Sequence, residues 1–239
     1  MSEYALRRES AADFLIDMAQ GKTFSFSRWS DGEWTLLLGR VQPANADGHP
    51  YSVSLRMALK DALATPGPRV GMGAIARRIY GYRIDDWLKK NPSPNEFYDA
   101  DIFHCEQTTA AKAGRVSSLV QFMRTADVRT IVVGPEPYRA IDSVFPVSRF
   151  VRIPSRDCWS NYPEWLEETW DEMRMLRPPV LVSVSASMPA KALIHDLHAR
   201  AEKEEIKAWL LDLGSIWLSY LDGHGLKTRS YQRGWVPCL

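Results

Sequence analysis

From Arg129 onward the chain alternates in a way that few folds accept. "RTIVVGP", "FVRIP", "PVLVSVSAS" and "IKAWLLDLG" are short runs rich in Val, Ile and Leu, and helical stretches at 161–176 and 189–204 lie among them. Continuous apolar runs of strand length belong to strands buried on both faces. Strands linked through helices pair in parallel, because a parallel partner needs a long crossover connection. The expectation is an α/β fold: a Rossmann-like, mostly parallel sheet with helices on both faces. The first half is compatible. Residues 10–20 read as a helix capped by Ser10 and stopped by Gly21. "TFSFSRW" alternates as a strand does, and "EWTLLLG" reads as a short helix ending at Gly39. Residues 40–50 form a loop, 51–64 and 74–90 are helical with a short apolar stretch around Val70 between them, "NPSPNEFYD" is irregular, and 108–126 is a further helix. With no internal repeat and no low-complexity tract, the 239 residues read as one domain, 1–239.

In sheets of this kind ligands bind beyond the carboxyl ends of the strands. That directs attention to five segments: 28–33, 134–136, 154–157, 185–191 and 212–215. Several chemistries are excluded at once. There is no G-x-x-x-x-G-K-[ST] loop, and Ser185 lacks the flanking glycines of a nucleophile elbow. A net charge of +1 gives no bulk attraction to nucleic acid or membrane. No stretch of about 18 apolar residues is present, so no membrane span is expected. Cys105, Cys158 and Cys238 are widely spaced with no C-x-x-C pair, which fits a reducing cytoplasm.

The richest segment is "SFSRWSDGEW", residues 25–34, at the junction of a strand and a helix. Ser30-x-x-Glu33 before an apolar run has the form of a capping box, and Asp31 adds favourable charge at the helix start. Capping does not account for Gly32, a residue that costs a helix about 1 kcal/mol against alanine and otherwise serves close approach of a backbone or ligand. Two carboxylates beside a tight turn also supply hard oxygen ligands for Mg²⁺ or Mn²⁺, and Arg28 offers a bidentate fork to phosphate. Residues i and i+2 of a helix point to different sides. Asp31 and Glu33 therefore share one ion only if Asp31 lies in the turn or one of them acts through water.

Three other places carry candidate chemistry. In "SVSASMPAK" Ser187 is a plausible helix cap and Pro189 fits a first turn. Free amides there, with Lys191, would equally make an anion site. Asp212 in "LLDLG" caps the next helix, or holds a ribose hydroxyl, contacts a donor sugar or takes a proton as general base. His195 and His198 lie three apart with no further ligand nearby, which reads as a solvated helix face. Arg77, Arg78 and Arg83 with Tyr80 and Tyr82 form a small basic and aromatic cluster able to track a phosphate backbone.

"FSFSRWSDGEWTLLLG" resembles the R-[YF]-G-D-G-E signature near the start of the GT-D fold glycosyltransferases. "RFVRIPSRDCWSNYPEWLEETW", "VLVSVSASMPAKALIHDL" and "AWLLDLGSIWLSYLD" resemble later blocks of that family, in its order and over nearly the whole chain. The resemblance implies a metal-dependent glycosyltransferase moving a hexosyl or pentosyl group from a nucleotide-diphospho-sugar, a UDP-sugar, to an acceptor hydroxyl. It implies that Asp31 and Glu33 bind Mn²⁺ or Mg²⁺ and that Arg28, Gly32, Asp157, Ser187 and Lys191 bind the nucleotide-sugar. It also puts Asp212 beside the donor sugar. The acceptor is left open among a saccharide, a glycoprotein and a hydroxylated base in DNA. A non-catalytic nucleotide-binding module is the alternative outside enzymes. The chain departs from the family's pattern at Ser30 (usually glycine), at Asp157 (usually asparagine), at Ser187-Met188-Pro189-Ala190 (for Gly-Pro-Thr-Ala), and at Ser215 (for histidine). "WLSY" replaces an acidic segment, and 40–115 is not recognisable.

Overall fold

The computed structural model describes residues 6–7, 11–40, 43–45, 48–100 and 110–220. Ser10, the start of the helix expected at 108, Cys105 and Cys238 lie outside the described residues. The elements run α1 (Ala11–Ala19), β1 (Ser25–Trp29), α2 (Asp31–Leu37), α3 (Val53–Ala64), β2 (Arg69–Met72), α4 (Ala74–Lys90), β3 (Phe97–Asp99), α5 (Ala110–Thr125), β4 (Arg129–Gly134), β5 (Arg149–Arg152), α6 (Tyr162–Met175), β6 (Val180–Val184), α7 (Pro189–Glu204) and β7 (Ala208–Asp212). Short 3₁₀ segments at Glu136–Ser143, Cys158–Asn161 and Gly214–Tyr220 follow β4, β5 and β7.

Among the described residues seven strands form one sheet in the order β3-β2-β1-β7-β6-β4-β5, and every pairing is parallel. The α/β, Rossmann-like expectation holds. The stretch around Val70 is a strand, and "NPSPNEFYD" is not wholly irregular, for Phe97–Asp99 pairs with β2 at the sheet edge. A three-residue run behind two prolines is too short to show a period.

Both faces of the sheet are buried, which is why its strands read as unbroken apolar runs. On one face Phe24, Phe26, Trp209 and Leu211 pack with α1, α5 and the 3₁₀ segments after β4 and β7. On the other, Val180, Val182, Val184 and Leu210 pack beneath α6 and α7, while Trp29, Val70 and Met72 pack with α2, α3 and α4. Each fully buried Phe, Leu or Val contributes about 1.5–3 kcal/mol.

Alternation in β1 sorts its side chains. Phe26 and Arg28 point to the α1/α5 face; Ser25, Ser27 and Trp29 point to the α7 face. The histidines of α7 meet those serines. His198 Nδ1 lies 3.0 Å from Ser25 Oγ and His195 Nε2 lies 3.3 Å from Ser27 Oγ, with His195 only 2% exposed. The reading of His195 and His198 as a solvated face is therefore corrected: α7 is covered by the sheet on that side and by α3 and α6 around it. Among the described residues no helix is long and apolar enough to cross a membrane.

Candidate active site

The backbone pairing of β1 with β7 ends at Phe26 and Leu211. Two residues on, the Arg28 N–H finds no carbonyl of β7; it donates to Asp212 Oδ2 at 3.1 Å instead. The chain then leaves β1 into α2 on one face of the sheet and leaves β7 into the 3₁₀ segment on the other. Departure on opposite faces opens the crevice at which parallel sheets take their ligands.

Inside this crevice is a buried ionic cluster. Lys191 Nζ lies 2.7 Å from Glu33 Oε1 and 3.0 Å from Asp212 Oδ2, and donates to the Ser187 carbonyl at 3.0 Å. Lys191, Glu33 and Asp212 are 5%, 4% and 1% exposed. An ammonium has three N–H donors, and all three are used here. Burial works against its charge, but Asp212 and Glu33 outweigh burial and hold the lysine above its ordinary value. The other oxygen of Glu33, Oε2, accepts from the Ser30 N–H at 2.8 Å, the returning half of the expected capping box. Neither oxygen of Glu33 is spare.

Asp31 is different. It begins α2, is exposed, and accepts from Ser30 Oγ at 3.1 Å. Asp31 is thus open to solvent where Glu33 is buried, and the two acids have different partners. Gly32 sits between them with an ordinary negative φ. A Cβ there would meet Met188 Cγ at 3.7 Å and Asn45 Cβ at 3.8 Å, normal contacts, so nothing inside the fold demands glycine.

Arg28 donates from Nη1 to the Leu213 carbonyl at 3.0 Å, while its Nε is buried without a hydrogen-bond partner and Nη2 makes no hydrogen bond or ion pair among the described residues. Gly214, at φ +51°, lets this guanidinium lie close: a Cβ would stand 3.0 Å from Nη1. Ser185 Oγ ties the turn down by donating to the Gly214 carbonyl at 2.8 Å. Asp212 keeps Oδ1 without a hydrogen-bond partner.

Ser187 adopts the left-handed region at φ 53°. Its hydroxyl accepts from Asn45 Nδ2 at 2.9 Å, and Met188, not Ser187, stands at the cap position of α7. The expected side-chain cap is therefore absent, and the Ser187 carbonyl serves Lys191 instead. Asp157 is exposed, left-handed at φ 48°, and accepts from Ser160 Oγ at 2.6 Å; it joins no bond of the cluster. The structure thus brings Arg28, Glu33, Ser187, Lys191 and Asp212 into one network, sets Asp31 and Gly32 on its rim, and leaves Asp157 apart.

Several contributors escaped the sequence reading. Asn45 reaches Ser187 from the loop after α2, and His49 in the same loop meets the buried Cys158, Nδ1 to Sγ 3.6 Å. Burial pushes the Cys158 thiol up to about 12, so it stays protonated. Tyr51 is held up to about 12 by burial, against the Thr35 hydroxyl and with the help of Glu33 and Asp31, so its hydroxyl remains a donor beside the acids. Single loop residues of this kind leave no period to read. The basic cluster on α4 does not form one surface: Tyr80 is buried with its hydroxyl 2.8 Å from Thr35 Oγ1, and Arg77 turns to Asp99 at 3.5 Å.

The expected Mn²⁺ or Mg²⁺ can be tested against these donors. Among the described residues no three His, Cys, Asp or Glu side chains are grouped to hold a metal ion. More directly, both Glu33 oxygens are engaged, Oε1 by Lys191 and Oε2 by the Ser30 N–H. A chelate formed by this pair does not fit the arrangement.

No protein-family model and no curated protein matches the chain. Two solved structures are similar to it. One is described in the words "the highly conserved domain of unknown function 1792 has a distinct glycosyltransferase fold"; at 20% identity it covers 95% of this chain and 86% of its own, with a TM-score of 0.66. The other is a selenomethionine-substituted structure of domain of unknown function 1792, 19% identical over the same shares, with a TM-score of 0.63. At such identities the likeness is one of fold.

Proposed function

We propose that this protein is a glycosyltransferase that moves a sugar from a nucleotide-diphospho-sugar, a UDP-sugar first among them, to an acceptor hydroxyl. The observation that carries the reading is the pairing, at one crevice, of a guanidinium with unpartnered N–H groups and a carboxylate with an unpartnered oxygen. Arg28 and Asp212 come from adjacent strands, joined by the hydrogen bond between the Arg28 backbone and Asp212. The shared fold with a domain described as having a glycosyltransferase fold supports the same conclusion.

Transfer breaks the bond between the anomeric carbon and the donor's phosphate oxygen and forms one from that carbon to the acceptor oxygen. Negative charge grows on the departing nucleoside diphosphate. Arg28 would meet it through the guanidinium, whose Nη2 has no hydrogen bond among the described residues and whose charge suits phosphate. The acceptor hydroxyl loses a proton, and Asp212 Oδ1 is the free acceptor at this point, its other oxygen being anchored by Arg28 N–H and Lys191. Glu33 and Lys191 position Asp212 and the β1–α2 turn. Gly32 would let the diphosphate approach the turn closely, and Asp31 on the rim would face the nucleotide-sugar from solvent. Asp157 would touch only a donor or acceptor that extends along the rim.

The test is a thermal-unfolding titration with UDP, UDP-sugars and orthophosphate, joined to an assay for UDP release. A rise in melting temperature with UDP and UDP-sugars, absent with orthophosphate and absent in Arg28→Met, is the expected result. A chain that ignores every nucleoside diphosphate while Arg28→Met melts like the parent would defeat the proposal.

A further inference from the structure

Three oxygens close on one point in the crevice. Glu33 Oε1, Asp212 Oδ2 and the Ser187 carbonyl lie 2.7, 3.0 and 3.0 Å from Lys191 Nζ. Two carboxylates and a carbonyl are the ligand set of a hard cation. The point is already filled by a positive charge whose three donors are all spent. No N–H of Lys191 is left for phosphate, and a second cation on the same oxygens would have to displace the first. The carboxylates come from α2 and β7 and the carbonyl from the β6–α7 turn, so the ammonium ties together three segments that border the crevice.

We propose that Glu33, Asp212 and the Ser187 carbonyl form a cation cage, that the Lys191 ammonium is its permanent occupant, and that the nucleotide diphosphate is bound with no divalent ion on Glu33 or Asp212. The last part rests on the donor reading above; the cage and its occupant do not. Lys191 is thus a positioning residue. It supplies inside the fold the positive charge that would otherwise have to be recruited from solution. Without the ammonium, two buried carboxylates face one vacancy. Like charges so placed repel, and a hard cation relieves them.

Calorimetric titration and thermal unfolding with Mn²⁺ alone test the cage in three proteins: the parent, Lys191→Ala, and Lys191→Ala with Glu33→Gln. The parent is expected to take up no Mn²⁺ through Glu33 and to keep its melting temperature. Lys191→Ala melts lower, gains a site for about one Mn²⁺ per chain, and recovers stability as that site fills. The added Glu33→Gln removes the gain. Recovery of a fold by Lys191→Ala only when Mn²⁺ is present also supports the proposal. A folded Lys191→Ala chain that binds no Mn²⁺ overturns it, as does a parent whose Mn²⁺ binding disappears in Glu33→Gln. Should Lys191→Ala fail to fold with or without Mn²⁺, that comparison of parent with Glu33→Gln decides alone. UDP titrations in EDTA and in Mn²⁺ address the diphosphate. Affinities within about twofold of each other are expected, whereas a tightening of about tenfold that Glu33→Gln abolishes refutes the proposal. Absence of UDP binding in both media defeats the donor reading, while the Mn²⁺ data still judge the cage.

Discussion

His195 offers a sharp test of how the sheet and α7 fit together. Its ring is 2% exposed, its Nε2 faces Ser27, and its Nδ1 is buried without a partner. Burial, with a smaller contribution from His198, lowers its pKa from 6.5 to about 3. The sign follows. The folded chain keeps this imidazole neutral down to about pH 3, whereas the unfolded chain takes up a proton as pH falls below about 6.5. Stability is therefore complete above the unfolded value and is lost on acidification through this window. Each unit is worth about 1.4 kcal/mol, so the loss is about 2 kcal/mol by about pH 5 and approaches about 5 kcal/mol near pH 3. The perturbation is His195→Gln, whose amide can still bond Ser27 but does not titrate. Urea unfolding of parent and variant at about pH 7 and about pH 5 isolates the residue, because the carboxylates and His198 are common to both. The parent should lose about 2 kcal/mol more than His195→Gln between the two pH values. Equal losses, within about 0.5 kcal/mol, would refute the buried neutral imidazole and with it the seating of α7 on β1.

The other predictions concern the crevice. Asp212→Asn keeps an acceptor for the Arg28 N–H but presents an amide where a proton must be received; turnover should fall by about 100-fold or more while UDP still shifts the melting temperature. Gly32→Ala should leave the protein as stable or stabilise it by up to about 1 kcal/mol, because the new methyl meets Met188 and Asn45 at ordinary distances, yet weaken UDP binding in the same titration. Gly214→Ala imposes a left-handed alanine whose Cβ stands 3.0 Å from Arg28 Nη1, so both melting temperature and UDP affinity should drop. Retained affinity in that variant would show that Arg28 is not the group that meets the diphosphate.

The parts of the fold that announced themselves are those governed by period. Strands β4, β6 and β7 are long, apolar and bounded, and helices α4 and α7 were delimited almost to the residue at Ala74–Lys90 and Pro189–Glu204. Edge strand β3 has only three residues and no room for a repeat. In the site, Ser30-x-x-Glu33 showed the returning hydrogen bond of a capping box because capping is a local interaction. What Glu33 does with its other oxygen was hidden, since Lys191 lies in a different element and no local rule joins the two. Asn45 and His49 were hidden for the same reason.

The one long-range feature that spacing could have revealed is the seam between α7 and the strand beneath it. Lys191, His195 and His198 recur at i, i+4 and i+7, one stripe of a helix. On a surface helix a polar stripe faces water, which is the expectation for this one. Opposite it, Ser25 and Ser27 recur at i and i+2, one face of a strand, and the two stripes meet: His198 with Ser25, His195 with Ser27. The pairs advance along β1 while they retreat along α7, as they must when a crossover helix runs antiparallel to its parallel strands. Two strand residues span about 6.6 Å and three helical residues rise about 4.5 Å, so the match holds over two pairs and drifts beyond them. About one turn further toward the start of α7, beyond the end of β1, Lys191 meets Glu33 of α2. The position of the buried ammonium is thus set by the packing of a helix on a strand. A serine lost from β1 would disturb the crevice through that packing, without any contact with a ligand.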